Sequence, residues 1–240
     1  MNLRQVKENV GQWPEGLFNL FFPNVCTVCR KTLVRGERIL CLDCRMSLPL
    51  TNFHRSQPNQ IHERLFAIGH PIERATSMFY YYRGNRFVNL IHDTKYRGRP
   101  IVGKTLAADH ASQLLAVGFF DGIEAIVPVP LHFLKRLRRG YNQAEEIACG
   151  ISDVTGLPIL DVLSASFHRT QTRKNAHERI VNTRNVYHLA EPTEIEGKHI
   201  LLVDDVITTG ATLLSCIEEI KRLSPTTRVS VYSLAITRLD

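Results

Sequence analysis

Residues 200–212 read Ile-Leu-Leu-Val-Asp-Asp-Val-Ile-Thr-Thr-Gly-Ala-Thr. The unbroken apolar run Ile200, Leu201, Leu202, Val203 is the pattern of a strand covered on both faces, as in a parallel sheet. Asp204 and Asp205 follow at its carboxyl end, and Thr208, Thr209 and Gly210 predict a tight turn. Leu213, Leu214, Ile217 and Ile220 then recur at helical spacing. A helix start gathers backbone N–H groups. The hydroxyls of Thr208, Thr209 and Thr212 add to them, which makes the turn a ready phosphate nest. The carboxylates cannot bind phosphate; they suit sugar hydroxyls or a magnesium ion. Acids beside a phosphate nest point to a phosphorylated sugar, held at the strand edge where open α/β sheets bind ligands. The run is not a nucleotide P-loop, because no Gly-Lys-Thr follows a glycine-spaced loop. A plain strand–turn–helix with an N-capping threonine is the competing reading.

Working outward, residues 228–236 alternate and predict a final strand, so strand, helix and strand follow in the rhythm of a doubly wound α/β domain. Upstream, residues 78–82 predict a strand with Arg83-Gly84-Asn85 as its turn. Phe87, Leu90 and Ile91 open a helix, and a second helix rich in alanine and leucine follows Gly98-Arg99-Pro100. Residues 123–127 predict a short buried strand ending at Pro128. A helix over 143–154 carries Ile147 and Ile151 on one face, and a short strand over 159–163 leads into a charged loop at 168–184. The stretch 47–72, with Pro49, Pro58 and Pro71, reads as a connector or irregular subdomain. Leu3, Val6, Val10, Trp13 and Leu17 predict an amphipathic helix packed on its own protein.

Composition sets the outer limits. The 240 residues are 44% hydrophobic and 22% charged, which excludes disordered and collagen-like chains. No apolar run approaches the roughly 18 residues of a membrane span. A basic segment followed by an apolar one is absent from the first thirty residues, so the expectation is a soluble cytosolic protein. Lysine and arginine number 30 against 23 aspartates and glutamates, a net charge of +7. That excess favours an anionic partner, either a small phosphate ester or a nucleic acid.

Four of the six cysteines form two CxxC pairs, Cys26/Cys29 and Cys41/Cys44. Two tight turns supplying two thiolates each make a tetrahedral metal site, and a region this small needs such a site to fold. Structural zinc is expected, an iron–sulfur cluster being the alternative; a closed four-thiolate shell leaves no position for catalysis. His54, His62 and His70 are not needed as ligands. Cys149 and Cys216 sit in apolar helical patterns and read as buried thiols.

The 200–212 run resembles the ribose-5-phosphate signature of type I phosphoribosyltransferases at every position. Further motifs narrow the likeness: Val127-Pro128-Val129-Pro130-Leu131-His132, the basic run from Arg136 to Arg139, and Gly140-Tyr141-Asn142-Gln143-Ala144-Glu145. With Lys95-Tyr96-Arg97-Gly98 and Arg169-Thr170-Gln171-Thr172, they resemble the ComF family from Phe22 to Thr237. The resemblance implies an α/β fold: a type I phosphoribosyltransferase-like parallel sheet flanked by helices, with a small N-terminal zinc-binding element. It places the N-terminal helix and zinc element in residues 1–60 and the phosphoribosyltransferase-like domain in 75–240.

The resemblance also implies roles. Asp204 and Asp205 would hold the ribose hydroxyls of phosphoribosyl pyrophosphate (PRPP), with magnesium arriving on the pyrophosphate. Val206 and Ile207 would line the substrate, and Thr208, Thr209, Gly210, Ala211 and Thr212 would cradle the 5-phosphate. Val129, Pro130, Arg136 and Arg139 would face the pyrophosphate. Arg169 and Lys174 would act from a mobile lid at 169–179 and complete the catalytic set with the two aspartates. Lys95 and Arg97 belong to a hood over the acceptor, or else cap a helix end. The basic cluster around Arg136 is equally the pattern of a solvated helix start, and the lid arginines could track a nucleic-acid backbone. Transfer of a phosphoribosyl group to or from a nitrogen nucleophile, with a family link to competence and DNA uptake, is the function implied. Its competitors are a catalytically silent PRPP sensor and an accessory protein binding single-stranded DNA or DNA-uptake proteins.

Overall fold

In a computed structural model the apolar run at 200–203 lies in the interior of a four-stranded parallel sheet. The structure describes residues 24–66, 69, 71–82, 84–96, 99–131, 133–165 and 187–238. Contacts divide the chain into two compact units, Met1–Leu48 and Pro49–Asp240. The helix expected from Leu3 onward lies outside the described residues.

In the smaller unit the chain turns back at Val25 and Thr32, which form an antiparallel bridge, and a single short helix follows, α1 (Leu42–Met46). The larger unit begins with α2 (Gln60–Leu65), β1 (Ala75–Tyr81), α3 (Val88–Tyr96), α4 (Pro100–Leu115) and β2 (Ala125–Pro128). It continues with α5 (Phe133–Arg139), α6 (Gln143–Thr155), β3 (Leu163–Ala165) and β4 (Tyr187–Leu189). It closes with β5 (His199–Ile207), α7 (Ala211–Leu223) and β6 (Arg228–Thr237).

The sheet runs β1-β6-β5-β2 with every pairing parallel, and β3 and β4 form a separate antiparallel pair. Period-two alternation sends neighbouring residues of a strand to opposite faces. Ile200 and Leu202 of β5 join Val229 and Val231 of β6 in a core with Leu213, Cys216, Ile217 and Ile220 of α7. On the other face α4 meets β6, where His110 Nδ1 lies 3.2 Å from the hydroxyl of the fully buried Tyr232. Helices α4 and α6 touch through small residues: a Cβ at Gly150 would collide with the carbonyl oxygen of Lys104 and come within 3.2 Å of Ala107. Helices on both faces are what make the four-residue apolar run possible.

Two differences from the sequence pattern have physical reasons. Strand β5 does not end at the acids but continues through Asp204, Asp205 and Val206 to Ile207, because β6 pairs with it up to Ile207↔Ile236. The region expected to be a connector or irregular subdomain is built onto the sheet. Residues 49–51 pair with β1 through Tyr80 N–Pro49 O (2.8 Å) and Thr51 N–Met78 O (3.1 Å). The Gln57 amide takes both backbone groups of Ala75, donating to its oxygen at 2.9 Å and accepting from its nitrogen at 3.1 Å. Asn59 caps α2 and also donates to Ala75 O at 2.8 Å, while Ile61 and Leu65 are buried. Polar side chains standing in for strand partners leave no periodic apolar signal.

Candidate functional site

The carboxyl end of β5 carries Asp204 and Asp205, both half-buried, followed by the exposed Thr208 and Thr209 and the buried Gly210. The backbone N–H of Asp205 donates to Asp204 Oδ1 at 2.8 Å. Gly210 has φ +84° and is the N-cap of α7, a thirteen-residue helix whose start has no side-chain cap. The N-capping-threonine reading therefore fails. Among the described residues Thr209 Oγ1 receives the Ala211 N–H, at 3.4 Å. A left-handed residue with no Cβ penalty turns the strand into the helix, whose first turn has no N-cap side chain on its amides. Behind the turn, α7 buries Cys216, whose thiol burial holds far above its ordinary pKa, so it is packing rather than reagent. Burial also pushes the Tyr187 phenol up to about 12, with Cys216 and Asp204 acting in the same direction and a hydrogen bond to Thr212 opposing them. Tyr187 thus belongs to the same strand end, and nothing in its sequence neighbourhood marked it.

Residues 129 and 130 come to this edge through the sheet register. Pro128 of β2 is paired with Val203, and Val129 N donates to Val203 O at 2.9 Å. Neighbouring parallel strands are only about 4.8 Å apart, so the Val129-Pro130 backbone borders the acids. The fully buried Asn142 fixes that loop: its Nδ2 donates to Val129 O at 3.0 Å while its Oδ1 accepts from Ala144 N at 3.1 Å, capping α6. Arg139 donates to Gln143 Oε1 at 2.8 Å, and Arg136 pairs with Glu145 at 3.2 Å. Both cations are therefore anchored to the first turn of α6, beside the loop after β2. The Tyr141 hydroxyl donates to Thr94 O at 2.6 Å and so ties the end of α3, where Lys95 sits, to the start of α6. The side chain of Lys95 lies outside the described residues, as do Arg97, Arg169, Lys174 and the whole charged loop.

Sequence reasoning missed Arg64. Its Nη1 donates to the carbonyls of Ile207 (3.3 Å) and Thr208 and to Thr237 Oγ1 (3.1 Å), and its Nη2 donates to the Thr237 carbonyl. Next to it, Leu65 fills the space a Cβ on Gly210 would need, with Cδ2 at 3.0 Å from that position. Only the three-dimensional return of α2 to the strand end reveals either residue.

In the smaller unit, the four cysteine sulfurs lie within 4.8 Å of one another, Cys29 and Cys41 at 3.5 Å. A tetrahedron of sulfurs at about 2.3 Å from a metal has edges of roughly 3.8 Å, so the cluster fits one ion. Burial raises the Cys26 thiol, but N–H groups of Cys29, Cys41 and Val28 directed at its sulfur more than offset this and bring it down to about 6. Burial pushes Cys44 upward, with the other three thiols adding to the rise. The second turn is tied to the hairpin between the two pairs by Glu37, which accepts from Val34 N at 2.9 Å and Leu42 N at 2.7 Å.

Residues 106–237, which include β2, β5, the turn at Gly210 and β6, match the phosphoribosyl transferase domain family. Over 90% of its length the chain is 36% identical to competence protein F of Haemophilus influenzae, covering 98% of that protein. The chain belongs to the ComF family. ComF relatives also include the DNA utilization protein YhgH of Salmonella typhimurium, 26% identical over 91% of this chain and 99% of that one. Among solved structures, the glutamine phosphoribosylpyrophosphate amidotransferase of Bacillus subtilis aligns at 19% identity with a TM-score of 0.42. That alignment covers 60% of this chain and 30% of the amidotransferase, so this ComF chain spans less than a third of it. No described helix of this ComF chain is long and apolar enough to cross a membrane.

Proposed function

We propose that the protein binds magnesium-PRPP across the carboxyl ends of β2 and β5 and transfers its phosphoribosyl group to, or from, a nitrogen nucleophile. The observation that carries this reading is the Pro128↔Val203 register. It sets the Val129-Pro130 loop beside Asp204 and Asp205, with the uncapped start of α7 one turn further on. Phosphate at the Gly210 turn, ribose hydroxyls at the acids and pyrophosphate at the loop after β2 lie in the order of the ligand's own parts.

In the forward direction the bond from ribose C1 to the pyrophosphate oxygen breaks, and pyrophosphate leaves with the electron pair. The acceptor nitrogen's lone pair forms the new C1–N bond and its proton passes to solvent. Asp204 and Asp205 offer hard oxygen donors of the kind magnesium takes, and when bound the ion would neutralise charge on the departing pyrophosphate. The chain's own residues orient the sugar at the acids, grip the 5-phosphate with open amides, and present Arg136 and Arg139 near the leaving group. Arg169 and Lys174 would close over the site and exclude water from an oxocarbenium-like sugar. Lys95 and Arg97 would border the acceptor. The four cysteines would hold a structural zinc ion, and thiols kept in this form suit a cytoplasmic setting.

Calorimetric titration with PRPP and magnesium tests the reading. Wild type should bind, and Asp204→Asn/Asp205→Asn should abolish binding without lowering the melting temperature; unchanged affinity in the double variant would overturn the site. The relatives named for competence and DNA utilization favour a second reading, in which PRPP binding regulates contact with single-stranded DNA or DNA-uptake proteins. Turnover with a panel of nitrogen acceptors separates it from the first. Affinity for single-stranded DNA that falls steeply with salt, and is lost with residues 1–48, would support it.

A further inference from the structure

We infer that Arg64 is a positioning residue for the phosphate turn: its guanidinium holds the carbonyls of the β5 end so that the amides of the turn face the 5-phosphate of the sugar. The inference rests on the proposed PRPP reading.

In a trans peptide the C=O and the following N–H point in opposite directions. Fixing the oxygens of Ile207 and Thr208 on Arg64 therefore aims the N–H groups of Thr208 and Thr209 away from it. Of the turn's amides, those of Thr209 and Gly210 meet no acceptor among the described residues, while the Ile207↔Ile236 pairing keeps Thr208 in line with β6. Arg64 also holds Thr237 through both its hydroxyl and its carbonyl, so the ends of β5 and β6 are gripped by one planar cation. Thr237 Oγ1 itself lies 3.5 Å from Ile207 O and 3.3 Å from Thr208 O, which closes the clamp. Five donors in a rigid fork allow one guanidinium to do this, whereas the compact ammonium of a lysine cannot span the same set. The positive charge sits at the carbonyl end of these peptide dipoles and polarises them toward a stronger N–H end, which favours an anion on the far side. Leu65, packed where a Gly210 Cβ would stand, braces the same turn from below.

Arg64 touches neither the acids nor the loop after β2 among its described bonds, so its loss should be felt by one part of the ligand only. Titrations of ribose 5-phosphate and, separately, of magnesium pyrophosphate are compared for wild type, Arg64→Gln, Arg64→Lys and Thr237→Val, each with a melting curve. Arg64→Gln should weaken ribose 5-phosphate roughly tenfold to a hundredfold, the scale of a misplaced binding group, and leave pyrophosphate within about twofold. Arg64→Lys should recover part of the loss. Thr237→Val, which keeps Arg64 and removes one hydroxyl, is the milder variant that carries the test if Arg64→Gln fails to fold; it should weaken ribose 5-phosphate alone, about threefold. Equal loss of both ligands, or no loss of ribose 5-phosphate, overturns the positioning role while wild-type binding keeps the PRPP reading intact. A wild-type protein that binds neither ligand overturns both.

Discussion

The cysteine unit and the sheet unit solve the same problem by opposite means. In the sheet unit, Ile200, Leu201, Leu202 and Val203 are all fully buried, and the strand is held by two flanking layers of helix. Among the described residues of the cysteine unit the buried positions include Cys26, Cys41 and Cys44 themselves, with Val28, Ile39, Leu40 and Leu48 as the apolar ones besides. By themselves these few apolar side chains offset little of the chain entropy of the roughly twenty-five described residues 24–48. The difference teaches where each unit is vulnerable: the first, on the proposed zinc reading, to loss of an ion, the second to loss of a methyl group.

The largest expected effect follows directly. A structural metal contributes on the order of 10–16 kcal/mol to domains of this type, so chelation or Cys41→Ser/Cys44→Ser should unfold residues 24–48 alone. Limited proteolysis should then cut that segment and leave a fragment beginning near residue 49. Loss of both units together would erase the contrast. Next in size, Leu202→Ala should cost the sheet unit about 2–5 kcal/mol in urea denaturation, the range for buried leucine truncations, while the protein keeps its metal content.

A third effect comes from His110, buried on the far face of the sheet against Tyr232 and near His54. Burial, with His54 as a lesser influence, lowers its pKa from 6.5 to about 3. The folded state therefore takes up this proton later than the unfolded chain. The stability it contributes is complete above about pH 6.5 and is lost as pH falls toward about 3, at up to about 1.4 kcal/mol per pH unit. Melting temperatures of His110→Gln should show a shallower acid slope than wild type; parallel curves would refute the assignment. The smallest effect should be Tyr141→Phe, which removes the bond to Thr94 O and should cost about 1 kcal/mol in the sheet unit.

Much of the sheet and half of the candidate site were legible in the chain because they rest on local pattern. The run at 200–203, the acids, the Gly210 turn and the helix after it are contiguous, so periodicity and turn chemistry locate them together. The paired cysteines are legible for the same reason. Arg64, Leu65 and Tyr187 were not, since they reach the site from segments far away in sequence. An arginine in a proline-punctuated stretch carries no sign of the carbonyls it will meet. Gln57 and Asn59 were hidden in another way: their amides complete a strand edge that sequence reading assigns only to apolar alternation.

That edge has a further consequence. On the β1 side the rim is occupied by residues 49–51 and by the Gln57 amide; on the β2 side Ile126 donates to Pro158 O and accepts from Leu160 N. Among the described residues these positions of the outer strands are already partnered, so they offer little template for recruiting another chain's backbone. Among the described residues, adding a strand to this four-stranded sheet would first have to peel away one of these covering segments.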